Sequence, residues 1–137
     1  MKSSLEATTY GRVVATTLSH PEAIEQVKSL LKHEGFGVLC DIDVSKTLRE
    51  KIGADFRPYT ILGACNPELA HRALSEESQL GLLLPCNVVI QEEQGATIVS
   101  AINAVALLAV AGKPALRPVA ELVNARLNRV LDAIAAL

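Results

Sequence analysis

Hydrophobic and polar positions change period several times along the chain, and each change marks an element. Thr8 to Thr17, rich in β-branched residues around Val13 and Val14, predicts a first strand. Ser19, Pro21 and Glu22 follow as a capping box with proline in the first turn, where its missing N–H costs nothing. Ile24, Val27, Leu30 and Leu31 then share one face at helical spacing, and Gly35 stands where a left-handed terminator belongs. From Phe36 the period becomes two. Phe36, Val38, Cys40, Ile42 and Val44 form one face and Gly37, Leu39, Asp41 and Asp43 the other, which predicts a strand with Cys40 in its apolar layer.

Ser45 can cap a short helical turn through Leu48 and Ile52 that ends at Gly53, and Pro58 opens another strand through Tyr59, Ile61 and Gly63. Asn66 as N-cap and Pro67 as first helical residue start a helix to about Ser75, with Leu69, Ala70, Ala73 and Leu74 on its apolar side. A strand is expected from Leu82 through Pro85 to Ile90, a turn at Glu92-Glu93-Gln94-Gly95, and a return strand from Ala96 to Ile102. Ala104 to Ala111 reads as a short apolar helix stopped by Gly112. Leu116, Val119, Val123, Leu127, Val130, Ile134 and Leu137 trace a long amphipathic one. The main order is β-α-β-β-α-β-β-α. Such a mixture of hairpins and helices gives an α+β class: one domain over residues 1–137, with a mainly antiparallel sheet covered on one face by two main helices.

Composition narrows the function. At 137 residues the chain can bury a core without disulfides or metal, and with 3% aromatics that core must be aliphatic. The same scarcity of rings removes a stacking platform for single strands, and a net charge of -2 removes the basic footprint of a nucleic-acid or acidic-membrane binder. Neither nucleic acid nor membrane is therefore expected as a partner. Met1-Lys2-Ser3-Ser4-Leu5-Glu6 lacks the uninterrupted apolar run of a secretory signal, so a cytoplasmic protein is expected. Gln94 to Gly112 is nearly uncharged, but Gly95, Thr97, Ser100 and Asn103 interrupt it, so it reads as a buried strand and helix.

The candidate chemistry centres on cysteine. Two of the three cysteines sit within two residues of a proline and before an asparagine, in Gly63-Ala64-Cys65-Asn66-Pro67 and Leu84-Pro85-Cys86-Asn87. Cys65 is expected just outside a helix N-terminus, where free N–H groups and the macrodipole favour a thiolate. It is either a nucleophile or soft ligand, or a small residue that fits a tight turn. Cys86 alternates with Leu84 and Val88 and reads as a core thiol, unless Pro85 forces a bulge that turns it toward Cys65. Spacings of 25 and 21 residues between cysteines match no zinc pattern, and three thiols in a reducing compartment make no disulfide framework. No metal ligands are assigned, and a cofactor is left open. Asp41 with Asp43 is either a carboxylate pair or a solvated strand face. Arg57 and Tyr59 can supply a cation and a phenol to the same pocket, and Asn66 and Asn87 polar contacts beside the thiols. His71 lies one turn beyond Pro67, while His20 and His33 sit at the ends of the first helix, where capping and dipole effects account for them.

Phe36-Gly37-Val38-Leu39, Asp41-Ile42-Asp43-Val44, Arg57 through Pro67 and Gly81 through Val89 together resemble the domain of unknown function 302 family, over about Thr9 to Leu137. Where the family has an Asp-Pro-like pair after the return strand, this chain has Asn103-Ala104. The resemblance implies a compact α+β domain similar to the TATA-binding protein's repeat, with Cys65, Asn66, Pro67, Pro85 and Cys86 in its signature, and no assigned activity. Three functions remain open at this level, and whether the protein is an enzyme is open with them. One is a thiol protein using Cys65 with Cys86 in redox, sulfur transfer or soft-metal handling. Another is a module that binds a small molecule. The third is a homodimer formed through the Ala104 to Val110 segment or the C-terminal helix.

Overall fold

A computed structural model of the chain describes residues 8–137, and the reading of Met1–Glu6 lies outside them. The strand β1 (Gly11–Thr16) leads to α1 (His20–His33), β2 (Gly37–Asp43), α2 (Val44–Ile52), β3 (Tyr59–Cys65) and α3 (Pro67–Glu76). After a 3-10 segment (Ser78–Leu83) come the hairpin β4 (Cys86–Glu93) and β5 (Ala96–Ile102), then α4 (Ala104–Leu108) and α5 (Arg117–Ala135). The five strands form one sheet in the order β1-β5-β4-β3-β2, antiparallel throughout. The fold is α+β, and no helix of the described residues is long and apolar enough to cross a membrane.

Local chemistry explains most boundaries. Ser19 caps α1 with the full capping box: Ser19 Oγ accepts from Glu22 N–H at 3.3 Å, and Ser19 N–H donates to Glu22 Oε1 at 3.2 Å. Gly35 ends the helix at φ 83°, a conformation that side chains rarely adopt, and a Cβ there would also stand 3.1 Å from Asn66 Nδ2 and 3.2 Å from Arg126 NH1. The turn between β4 and β5 is shorter than expected. It is the two-residue loop Gln94-Gly95, both at positive φ, which matches the twist of the flanking strands. Asn103, where the family pattern is broken, still caps α4: its Oδ1 accepts from Ala106 N–H at 3.2 Å and from Asn124 Nδ2 at 2.8 Å.

One continuous core lies between the sheet and the helices. Val14, Leu62, Val88, Ile90 and Val99 face α1 and α5, whose Val27, Leu31, Val123, Leu127 and Ile134 meet them. Ala104 and Leu108 of the segment considered as a dimer face are buried in this core, while Val110 beyond them is exposed.

Three local expectations are overturned. Cys40 is exposed rather than in the core. The β2–β3 register shifts between Val38 and Cys40, so Leu39 is an extra residue, and a one-residue shift exchanges the faces of everything after it. Val38 stays on the helix side opposite Ala64, whereas Cys40 and Ile42 pass to the other face opposite Gly63 and Ile61. The bulge anticipated at Pro85 thus sits at Leu39. Leu82 does not begin a strand. It lies in the 3-10 segment, 82% exposed, and β4 starts at Cys86 after a cis Leu84-Pro85 bond, because proline has no N–H for the ladder. Finally, α2 is capped by Asp43 instead of Ser45: Asp43 Oδ1 accepts from Lys46 N–H at 3.0 Å and from Ser45 Oγ at 2.9 Å, and an ionised acceptor outcompetes a hydroxyl.

Candidate functional site

The Cys65 end of the sheet carries a cavity of about 280 Å³. The sequence Cys65-Asn66-Pro67 builds one wall. β3 stops at Cys65, Asn66 caps α3 by accepting from Leu69 N–H at 3.2 Å, and the same side chain donates from Nδ2 to the Glu34 carbonyl at 3.4 Å. The start of α3 is thereby tied to the end of α1, and Arg126 NH1 on the same Glu34 carbonyl, at 3.1 Å, adds α5 to the junction. Leu69, Ala70 and Ala73 of α3, Leu108 of α4, Val119 and Val123 of α5, and Leu84 and Pro85 complete the lining. Leu39, pushed out by the bulge and 69% exposed, and Leu74, 40% exposed, mark where it reaches the surface.

Both cysteines of the sequence signature are among the residues that line this cavity. Cys86 stands opposite Ala64, one position before Cys65, and is 7% exposed. Burial, with a smaller contribution from nearby Cys65, pushes the Cys86 thiol up to about 11. Cys86 is therefore a neutral, weakly polar part of the wall at physiological pH. Cys65 is half-buried. It leaves the last strand position just before the N-cap, as expected from Asn66-Pro67. In the first turn of α3, Pro67 has no N–H and that of Leu69 is taken by Asn66, leaving the Glu68 amide as its one donor without a partner among the described residues.

The other candidates lie elsewhere. Asn87 is exposed on the opposite face of β4, across from Gly63. Arg57 and Tyr59 occupy the far end of β3, roughly 20 Å from Cys65 at about 3.4 Å per residue. There Arg57 Nε donates to Gln91 Oε1 at 2.9 Å, and its guanidinium sits 4.6 Å from the Phe56 ring centre and 5.8 Å from that of Tyr59. Asp41 is held by Lys28 Nζ at 2.9 Å, and Asp43 is committed to capping α2, whose Lys46 N–H and Ser45 hydroxyl lower its carboxyl below the ordinary range. His71 is exposed on α3. No group of three or more His, Cys, Asp or Glu residues that could hold a metal occurs among the described residues.

Sequence reasoning missed most of the cavity, because Leu39, Leu84, Leu108 and the pair Val119 and Val123 come from four separate segments. It also passed over His20, whose Nε2 lies 3.0 Å from Thr60 Oγ1 and whose buried Nδ1 has no partner among the described residues. Burial lowers the His20 pKa, partly offset by Glu92 and Asp43. A helix-end histidine reads from sequence as a surface group; only the packing of α1 over β3 buries it.

No curated protein matches the chain. An uncharacterized conserved protein DUF302 from Bacillus stearothermophilus, known from its crystal structure, is similar to it at 36% identity and a TM-score of 0.87, over 93% of this chain and 99% of that one. The model of the domain of unknown function DUF302 matches residues 12–134. With the thiol-bearing strand ends, the Asn66-Pro67 helix start and the antiparallel sheet in place, the chain belongs to the DUF302 family.

Proposed function

We propose that the protein binds a small apolar molecule in the cavity beside Cys65. The observation that carries this reading is the lining: 16 residues line about 280 Å³, and all but Cys65, Asn66 and Cys86 present alkyl, ring or glycine surface. Asn66 is already committed to Leu69 and Glu34, and Cys86 is protonated. Small-molecule sites are mostly apolar with a few placed polar groups, typically in roughly 300–1,000 Å³, so this site suits a compact ligand. Disulfide chemistry between Cys65 and Cys86 is the less favoured reading. Neighbouring strand positions send side chains to opposite faces, so the two Cα–Cβ bonds diverge and a bridge requires backbone movement. Thermal unfolding with unreactive apolar probes such as 1-octanol tests the reading. Octanol raises the Tm of wild type and of Cys65→Ser alike and leaves Ala70→Phe, which fills the cavity, unmoved. Equal shifts in wild type and Ala70→Phe overturn it.

A second reading concerns assembly and rests on the sheet face turned away from α1 and α5. Its strand positions include Val13, Ile42, Ile61, Val89 and Ser100, and Glu93 at the hairpin end is the one charged residue among them. Antiparallel sheets with one solvated face normally carry polar residues there. Two copies meeting on this face have no like charges to oppose across the centre. Five strands about 4.8 Å apart and roughly 20 Å long cover about 480 Å² per copy, so a pair buries close to the ~1,000 Å² of a specific interface. Light scattering at micromolar concentration gives twice the chain mass, and Val89→Glu reduces it to one. A single-chain mass for the wild type overturns the reading.

A further inference from the structure

We propose that Cys40 and Cys65 form a two-thiolate site for a soft monovalent metal ion, copper(I), on the sheet face turned away from α1 and α5. The register carries the argument. With Leu62 and Ala64 in the core, alternation along β3 sends Gly63 and Cys65 to the other face, and the bulge at Leu39 puts Cys40 there with them. Gly37 stands opposite Cys65 and Cys40 opposite Gly63, so the two thiols occupy one diagonal of a four-residue patch and two glycines the other. No side chain of the patch separates them. The Cys40 side chain leans over Gly63, toward the strand that carries Cys65: a Cβ on Gly63 would run into its Sγ, with Pro85 Cγ 2.8 Å from the same point as a wall. At the other glycine corner, a Cβ on Gly37 would meet only the Cys65 carbonyl oxygen, at 4.0 Å, so that corner is open. Cys86, on the core face opposite Ala64, takes no part.

Spacing and ligand count select the ion. Diagonal neighbours on one face of an antiparallel pair have Cα atoms roughly 7–8 Å apart and Cβ atoms somewhat closer, beyond the roughly 3.5–4.5 Å between Cβ atoms in a disulfide. An ion between the sulfurs adds two bonds of about 2.3 Å, the length of a zinc–thiolate bond, and spans that gap. No group of three or more His, Cys, Asp or Glu residues that could hold a metal occurs among the described residues, so the four ligands of a structural zinc are not at hand. Soft thiolates favour copper(I), which accepts two of them in a line. Each thiol releases its proton to solvent as its sulfur binds, and no electron moves. Cys40 is exposed and Cys65 half-buried, so an ion reaches the pair from solvent. The core of the aliphatic cavity lies on the other side of the sheet, and the metal site does not depend on what that cavity binds.

The experiment titrates the reduced full chain with copper(I), in the absence of oxygen, against the chromogenic chelator bicinchoninate. Wild type takes one ion per chain. Cys40→Ser and Cys65→Ser each weaken binding at least a hundredfold, and Cys86→Ser keeps the wild-type affinity, with circular dichroism showing each variant folded. A second measurement needs no variant: in wild type, bound copper slows iodoacetamide labelling of Cys40 and of Cys65 at least tenfold, read by peptide mapping. Half an ion per chain would mean a metal held between two copies and overturns the inference. So do wild-type affinity in Cys40→Ser or Cys65→Ser, loss of binding in folded Cys86→Ser, protection of only one of the two thiols, and failure to compete with bicinchoninate at all.

Discussion

Cys86 faces Ala64 across the β3–β4 ladder, and this places its thiol on the cavity wall beside Cys65 but inside the protein. The two signature cysteines share a site and differ in environment. That difference predicts their reactivity. With its pKa at about 11, Cys86 is roughly one part in a thousand thiolate at pH 8, and it is shielded from reagent as well. Native protein treated with iodoacetamide at pH 8 gains label on exposed Cys40 and half-buried Cys65, and Cys86 reacts only after denaturation. Mass mapping of native and unfolded samples checks this, and prompt native labelling of Cys86 contradicts it.

Asn66 joins three helices through one side chain and one carbonyl. Asn66→Ala removes the α3 cap and the donor to Glu34, and a lost cap alone costs about 1 kcal/mol. Asn66→Asp keeps the acceptor for Leu69 N–H and loses only the bond to Glu34, so its urea midpoint falls between those of wild type and Asn66→Ala. A wild-type midpoint for Asn66→Asp would show that the Glu34 contact contributes nothing, and identical midpoints for the two variants would show the same of the cap.

Gly63 is small because two side chains lie over it. A Cβ there would run into Cys40 Sγ and come 2.8 Å from Pro85 Cγ. Gly63→Ala is expected to destabilise by about 1–3 kcal/mol through overpacking, and adding Cys40→Ala recovers part of the loss. A double-mutant cycle in urea measures the coupling, and strict additivity of the two changes refutes it.

His20 makes stability depend on pH. Its folded pKa lies below the ordinary histidine value of 6.5, chiefly because burial disfavours the imidazolium. The unfolded chain therefore binds a proton more readily, and the stability associated with neutral His20 is present above pH 6.5 and lost as pH falls through the folded value. Tm declines on acidification from about pH 7.5 toward pH 5, before most carboxylates titrate, and His20→Gln flattens that part of the curve. An unchanged slope in His20→Gln removes this histidine as the cause.

The elements legible in the sequence are those decided within a few residues. The Ser19–Glu22 box and the Asn66-Pro67 helix start are local hydrogen-bond and dihedral preferences, and each forms where its residues predict, whereas the turn expected over Glu92 to Gly95 narrows to Gln94-Gly95. The position of Cys65 before α3 follows from them. Alternation in β2 fails after Leu39, because a bulge depends on how the strand registers against β3, and that pairing is not encoded in the period of β2 alone.

By itself, then, the sequence determined the α+β class, the family and the placing of one thiol at a strand-to-helix junction, since those rest on propensity, capping and short motifs. Tertiary structure decided that Cys40 is exposed, that Arg57 and Tyr59 lie at the opposite end of β3, and that Cys65 and Cys86 share an aliphatic cavity. A cavity is the space left where five distant segments fail to fill a volume, and only the packing of α3, α4 and α5 over the sheet defines that volume.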